Sequence, residues 1–299
     1  MTGATAAEAA PALSATEADD GPTVALALGG GGARGLAHVH VIEAFDQLGI
    51  RPVAVAGSSI GAIMGAAMCA GMSGREIGEH SLRTFGNKAE LAARLWRLRP
   101  SLMGGVARTG GMPRLGQVDV SRILDAFLPP LPRRFEDLSI PFTAVAVDFY
   151  GARELHLSSG DLASALAASA AIPGVFRPVS RDGCILIDGN IYNPCPFDLL
   201  QGRADVVVAV DVVGTPVGTP GTEPSTIDCL IGTNQLMMRD KIEDKMRRAP
   251  PDIMLRPDMP VRALEFHRTP EILARTAHLR DELVAALEKR GAGRSRRSG

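Results

Sequence analysis

Between Thr23 and Val213 the chain alternates short, mostly β-branched apolar runs with longer stretches whose apolar residues recur every three or four positions. Short runs of that kind read as strands and the longer stretches as helices, which argues for a mainly parallel sheet flanked by helices. The run "TVALAL" predicts a buried first strand and "GLAHVHVIEAFDQLG" the helix after it, closed by Gly49. "PVAVAG" predicts a second strand running straight into a second helix, "SSIGAIMGAAMCAG". Further strands are expected at "FTAVAVDF", "ELHLSS", "CILIDG" and "DVVVAVDVV". There is no internal repeat and no linker long enough to separate two domains.

The pattern is less regular between Gly74 and Pro141. There "AELAARLWRLRPSLM" places Leu91, Leu95 and Leu98 on one face with Arg94, Arg97 and Arg99 nearby, and carries the only tryptophan, Trp96. This segment reads either as a core-facing surface helix or as an interfacial helix or lid that meets lipid. Beyond Gly214 a Pro/Gly/Thr loop precedes a Met-rich helix, "IDCLIGTNQLMMRDKIEDKMRR". A last helix, "PEILARTAHLRDELVAALEKR", aligns Ile272, Thr276, Leu279, Leu283 and Leu287 on one face for packing against the body.

Composition narrows the class without naming a partner. The 299 residues are 45% hydrophobic, enough for a full core. Lys plus Arg (32) balance Asp plus Glu (33), so no global field points to nucleic acid. The first 21 residues lack both a basic start and an apolar run, and are expected as a disordered tail rather than a secretory signal. One domain is expected over residues 22–290, and residues 291–299 as a basic disordered tail. Cys69, Cys184, Cys195 and Cys229 fall in no paired spacing, so reduced thiols in a cytoplasmic protein are expected, with no disulfide framework, metal site or organic cofactor. No window is long and apolar enough to span a bilayer.

Two loops carry the chemistry. Gly30, Gly32 and Gly35 in "GGGGARG" satisfy the G-x-G-x-x-G spacing of a dinucleotide loop, but the second strand ends in "AGSSIGA" and offers no acidic residue for a ribose. In its place stands Gly57-Ser58-Ser59-Ile60-Gly61, a G-x-S-x-G motif with a strand before it and a helix after it. That context is the one in which a sharp turn lifts a serine hydroxyl out of the sheet. In an open parallel sheet both loops emerge at the carboxyl edge of neighbouring strands. A glycine loop beside a nucleophilic serine suits the oxyanion of acyl transfer, with backbone N–H groups as donors and Arg34 as reinforcement.

A serine needs a base. None of His38, His40, His80, His156, His267 and His278 lies in a convincing strand-end loop after the serine; His267 is the least unsuitable. Asp148, Asp188 and Asp211 each end an apolar strand, and the residues alone do not choose cleanly among them. Asp188 has the tightest setting because Gly189 permits a sharp turn.

The set "GGGGARG", "GSSIG", "ASAAIPGVFRPV" and "DGNIYNPCPFD", in this order and spacing, resembles the patatin-like phospholipase family over roughly Thr23 to Asp211. The resemblance implies a three-layer α/β/α sandwich in which a Ser–Asp dyad hydrolyses lipid acyl esters through an acyl-enzyme. Carried over by motif, Ser59 is the nucleophile, Asp188 the general base, and Gly30, Gly31 and Gly32 form the oxyanion hole with Arg34 supporting it. Gly35, Gly57, Gly61, Gly189 and Asn190 complete the motifs, and Asn190 departs from the family's usual Gly or Ala. A lipid or acyl-ester substrate and a peripheral contact with the inner membrane surface are expected. An acyltransferase or thioesterase on the same dyad, a nucleotide-binding module and an idle membrane scaffold are the alternative readings.

Overall fold

The computed structural model describes residues 21–89, 119–121, 124, 131–219 and 221–293. The Trp96 segment and both expected tails, apart from Gly21 and residues 291–293, lie outside the described residues. Within them, strands β1 (Val24–Leu28), β2 (Ala54–Ser58), β3 (Phe142–Asp148), β4 (Arg153–Leu157), β5 (Val179–Arg181), β6 (Cys184–Asp188), β7 (Val206–Val210) and β8 (Ile253–Leu255) form one sheet. Its order is β5-β6-β3-β2-β1-β7-β8, with β4 on β3. The β1–β2, β1–β7, β2–β3 and β7–β8 pairs are parallel, whereas β4 and β6 run antiparallel to β3 and β5 antiparallel to β6. The sheet is therefore mixed, with a parallel centre.

Central strands covered on both faces must be apolar throughout, and β1, β2 and β7 are buried at every residue. Side-chain size then differs between the faces. Val24, Leu26 and Leu28 of β1 enter the large core built with α1 (His38–Leu48), α2 (Ile60–Cys69), α3 (Gly74–Phe85), α4 (Leu162–Ser169) and two C-terminal helices. Ala25 and Ala27 face the other layer, where Phe197, Leu200 and Ile242 of α5 (Thr226–Arg248) pack closely over alanines of β1 and β2. The result is three layers, α/β/α.

The final helical stretch divides at Ala277 into α6 (Thr269–Thr276) and α7 (His278–Lys289). Ile272, Thr276, Leu279, Leu283 and Leu287 are all buried, as their shared face requires. β5 and β8, three residues each, escape the sequence pattern because so short a run carries no measurable period. No helix among the described residues is long and apolar enough to cross a membrane.

Candidate active site

β2 ends at Ser58 and α2 begins at Ile60, so the whole bend between them falls on Ser59. Its φ of 54° and ψ of −123° lie outside the ordinary regions for an L-residue. A conformation of this kind costs about 1–3 kcal/mol and persists only where the surroundings hold it. Here the Ser59 N–H donates to Ser169 Oγ at 2.9 Å, and the Ser59 carbonyl accepts from the Ala62 and Ile63 amides at 3.0 and 3.2 Å. Gly61 lets the turn close: a Cβ there would stand 2.1 Å from the Leu28 carbonyl oxygen. Gly35, Gly57 and Gly189 sit at similarly close approaches to the Ile60 side chain, the Gly61–Ala62 backbone and the Val145 carbonyl.

Asp188 reaches the same place from β6 through strand register. On the edge opposite β4, β3 pairs first with β2 and then with β6, so that Val145 faces Ser58 and the next residue, Ala146, faces Asp188. Two strands running in opposite directions thus meet end to end. Ser59 Oγ donates to Asp188 Oδ2 at 2.8 Å, and the Asn190 amide donates to Oδ1 at 2.8 Å. Burial pushes the Asp188 carboxyl up to about 7, against the opposing pull of those two hydrogen bonds.

The other strand-end aspartates hold turns. Asp148 accepts from the Gly151 amide at 3.1 Å and from Arg153 Nε at 3.2 Å, and the first of these bonds chiefly lowers its pKa. Asp211 accepts from the Val213 amide at 3.0 Å and pairs with Arg256 at 3.3 Å. No histidine hydrogen bonds to Ser59 among the described residues. His38 is fully buried with Nε2 on the Gly29 carbonyl at 2.8 Å, and burial pushes its pKa down to about 4, so it is a neutral donor that fixes the glycine loop.

The glycine loop is divided in its work. The Gly29, Gly30 and Ala33 amides donate to the carbonyls of Val210 (2.9 Å), Pro194 (2.9 Å) and Ala263 (2.7 Å). This corrects the expectation for Gly30, whose N–H is already engaged in docking the loop to the segment after Asp188. The Gly31 and Gly32 amides have no partner among the described residues, and both glycines line the cavity beside Ser59. Arg34, expected to support the loop, is anchored by backbone carbonyls. Its Nε and Nη1 donate to the carbonyls of Val212 (2.9 Å) and Val261 (2.7 Å), making it a tether for the loop more than a charge aimed at a substrate. Burial pushes its pKa down to about 10, with Asp211 opposing the shift, so the guanidinium stays charged at neutral pH.

Ser59 and Asp188 open into a cavity, continuous with solvent, walled by Ile172, Pro173, Ile191, Ile231, Met238 and Leu264. A second hollow adjoins it, sharing Ile231, Gln235, Ala263 and Leu264. Ser169, absent from the expected site, is its main addition. It lies within the quoted motif "ASAAIPGVFRPV", but only the packing of α4 against the elbow reveals its hydrogen bond. Among the described residues no group of three or more His, Cys, Asp or Glu is placed to hold a metal ion.

A strained strand–serine–helix turn on an α/β/α sandwich, with a carboxylate in reach and no histidine, defines a class of site distinct from the Ser–His–Asp arrangement. The chain belongs to the patatin-like phospholipase family, whose model matches residues 26–200. An uncharacterized NTE family protein of Mycobacterium tuberculosis is 37% identical over 211 residues, covering 70% of this chain and 54% of its own length. A protein named lysophospholipase nte1 from Aspergillus fumigatus is 31% identical over 205 residues, 67% of this chain and 12% of its own. The chain thus spans about half the length of its mycobacterial relatives. Among solved structures, VipD from Legionella pneumophila superposes with a TM-score of 0.50 at 16% identity, covering 93% of this chain and 70% of that one; the likeness is one of fold.

Proposed function

We propose that the protein is a serine hydrolase of lipid acyl esters working through Ser59 and Asp188. The observation that carries this reading is the 2.8 Å hydrogen bond from the hydroxyl of a strained elbow serine to a buried carboxylate at the mouth of an apolar cavity. In the first step Ser59 Oγ attacks the ester carbonyl carbon and its proton passes to Asp188 Oδ2. The tetrahedral intermediate places its oxyanion at the free amides of Gly31 and Gly32. Collapse breaks the ester C–O bond, and the alcohol leaves with the proton from Asp188, giving an acyl-Ser59. Water then attacks the acyl carbon, again giving its proton to Asp188, and the fatty acid leaves as Ser59 recovers its hydrogen.

Asp188 suits both steps because a carboxyl near 7 gives and takes a proton readily at neutral pH. The apolar wall from Ile172 to Leu264 suits an acyl chain. The name of the fungal relative makes monoacyl phospholipids the first substrates to try. The test is intact-mass spectrometry after exposure to an alkyl fluorophosphonate. One adduct on the wild type, lost in Ser59→Ala, is the expected result; a folded wild type that takes no adduct overturns the reading.

A further inference from the structure

Of the polar side chains that line the cavity and play no part in the scheme above, Asn190, Asn234 and Gln235, Asn190 is the one with a buried polar atom left without a partner. Its backbone N–H holds the base, yet its side-chain amide bonds to no described residue. The residue is only 8% exposed, and Oδ1 is buried without a partner. The amide lies flat on Gly30: a Cβ there would fall 2.0 Å from Oδ1 and 2.3 Å from Nδ2. A side chain on residue 30 would therefore expel it, and its absence clamps the amide between the base strand and the glycine loop.

The chemistry of an amide decides which end faces the ligand. Turning the oxygen inward strands one acceptor, whereas turning the nitrogen inward would strand two N–H donors, so the observed orientation is the cheaper one. It leaves the NH₂ group at the wall of a cavity lined by Gly31, Gly32 and Ser59. We propose that Asn190 Nδ2 donates a hydrogen bond to the ester's carbonyl oxygen as that oxygen gains negative charge, a third donor beside the Gly31 and Gly32 amides. The inference rests on the serine-hydrolase reading. A donor fixed in place and shielded from water stabilises developing charge without reorganising, which is why such groups act on the transition state and not on substrate binding.

The test compares wild type, Asn190→Ala and Asn190→Leu, none of which alters the backbone N–H that holds Asp188. Intact-mass spectrometry gives the rate of Ser59 labelling by an alkyl fluorophosphonate, and hydrolysis of a p-nitrophenyl acyl ester gives kcat and KM. Both variants are expected to label about 10²-fold more slowly and to lose kcat in proportion, as for a removed oxyanion donor. KM is expected to stay within about twofold, the mark of a contact made only in the transition state. Leu fills the space over Gly30 without donating, so wild-type rates in Asn190→Leu would make the residue a packing spacer and overturn the assignment. A raised KM with unchanged kcat and labelling would make it a ground-state contact and overturn it equally. If the wild type takes no adduct, the serine-hydrolase reading itself fails and the assignment falls with it. If the wild type labels at Ser59 and both variants match its rate, only the role of Asn190 is lost.

Discussion

Two aspartates end neighbouring strands of one sheet, both nearly buried, and they do opposite things. Asp148 closes β3 with its carboxylate held low by the Gly151 amide and Arg153. Asp188 closes β6, antiparallel to β3, with one backbone amide and one serine hydroxyl as partners, and burial raises it to about 7. The difference lies in what faces each carboxyl. A cation and a tight turn fix a charge permanently, whereas a dry site without a cation leaves a group that exchanges its proton near neutrality. Residue type and position at a strand end do not set a carboxyl's proton affinity; burial, set against the hydrogen bonds it accepts, does.

The largest effect should come from removing each carboxylate in turn. Asp188→Asn is expected to lower kcat by about 10²–10⁴-fold with fold retained, the range for a positioned general base. Asp148→Asn, which loosens a turn, should leave kcat within about threefold. Ester hydrolysis and circular dichroism on both variants check the contrast, and equal losses would erase it.

The next effect is in the pH profile. With Asp188 near 7, kcat/KM should rise about tenfold per pH unit on the acid side and level off above neutrality, because only the carboxylate accepts the serine proton. A profile already flat at pH 5 would place Asp188 with the ordinary carboxylates and remove the contrast with Asp148.

The smallest effect is thermodynamic. Asp188 titrates near 7 when folded, against an ordinary value of 3.8, so between these values the folded chain binds a proton that the unfolded chain does not. Its contribution to stability is therefore fully present below about pH 4 and lost as pH rises through about 7. Asp188→Asn carries no charge to bury, so its Tm should exceed that of wild type at pH 8. The underlying difference in unfolding free energy, on the order of a few kcal/mol at most, should shrink towards pH 5. Thermal melts at both pH values test the sign, and a lower Tm at pH 8 would contradict it.

Much of the site is local, and local features are legible in order. The glycine loop, the G-x-S-x-G turn and the apolar strand before each of them are contiguous stretches, and steric demands such as that of Gly61 act between close neighbours in the fold's first two units. The apolar alternation of the central strands and the single buried face from Ile272 to Leu287 are equally local, because burial on a regular element leaves a period.

The rest depended on register across distance. Three strand-end aspartates look alike in sequence, and only the abutment of β2 and β6 on one edge of β3 brings Asp188, and neither of the others, to Ser59. Ser169 joined the site through the packing of α4, Gly30 left the expected donor set through its bond to Pro194, and Arg34 was turned to the carbonyls of Val212 and Val261. A sequence fixes which groups are available, since side-chain chemistry and backbone freedom belong to each residue. Which of them meet, and in how dry a place, is settled by contacts between residues far apart in the chain, and those exist only once the sheet has formed.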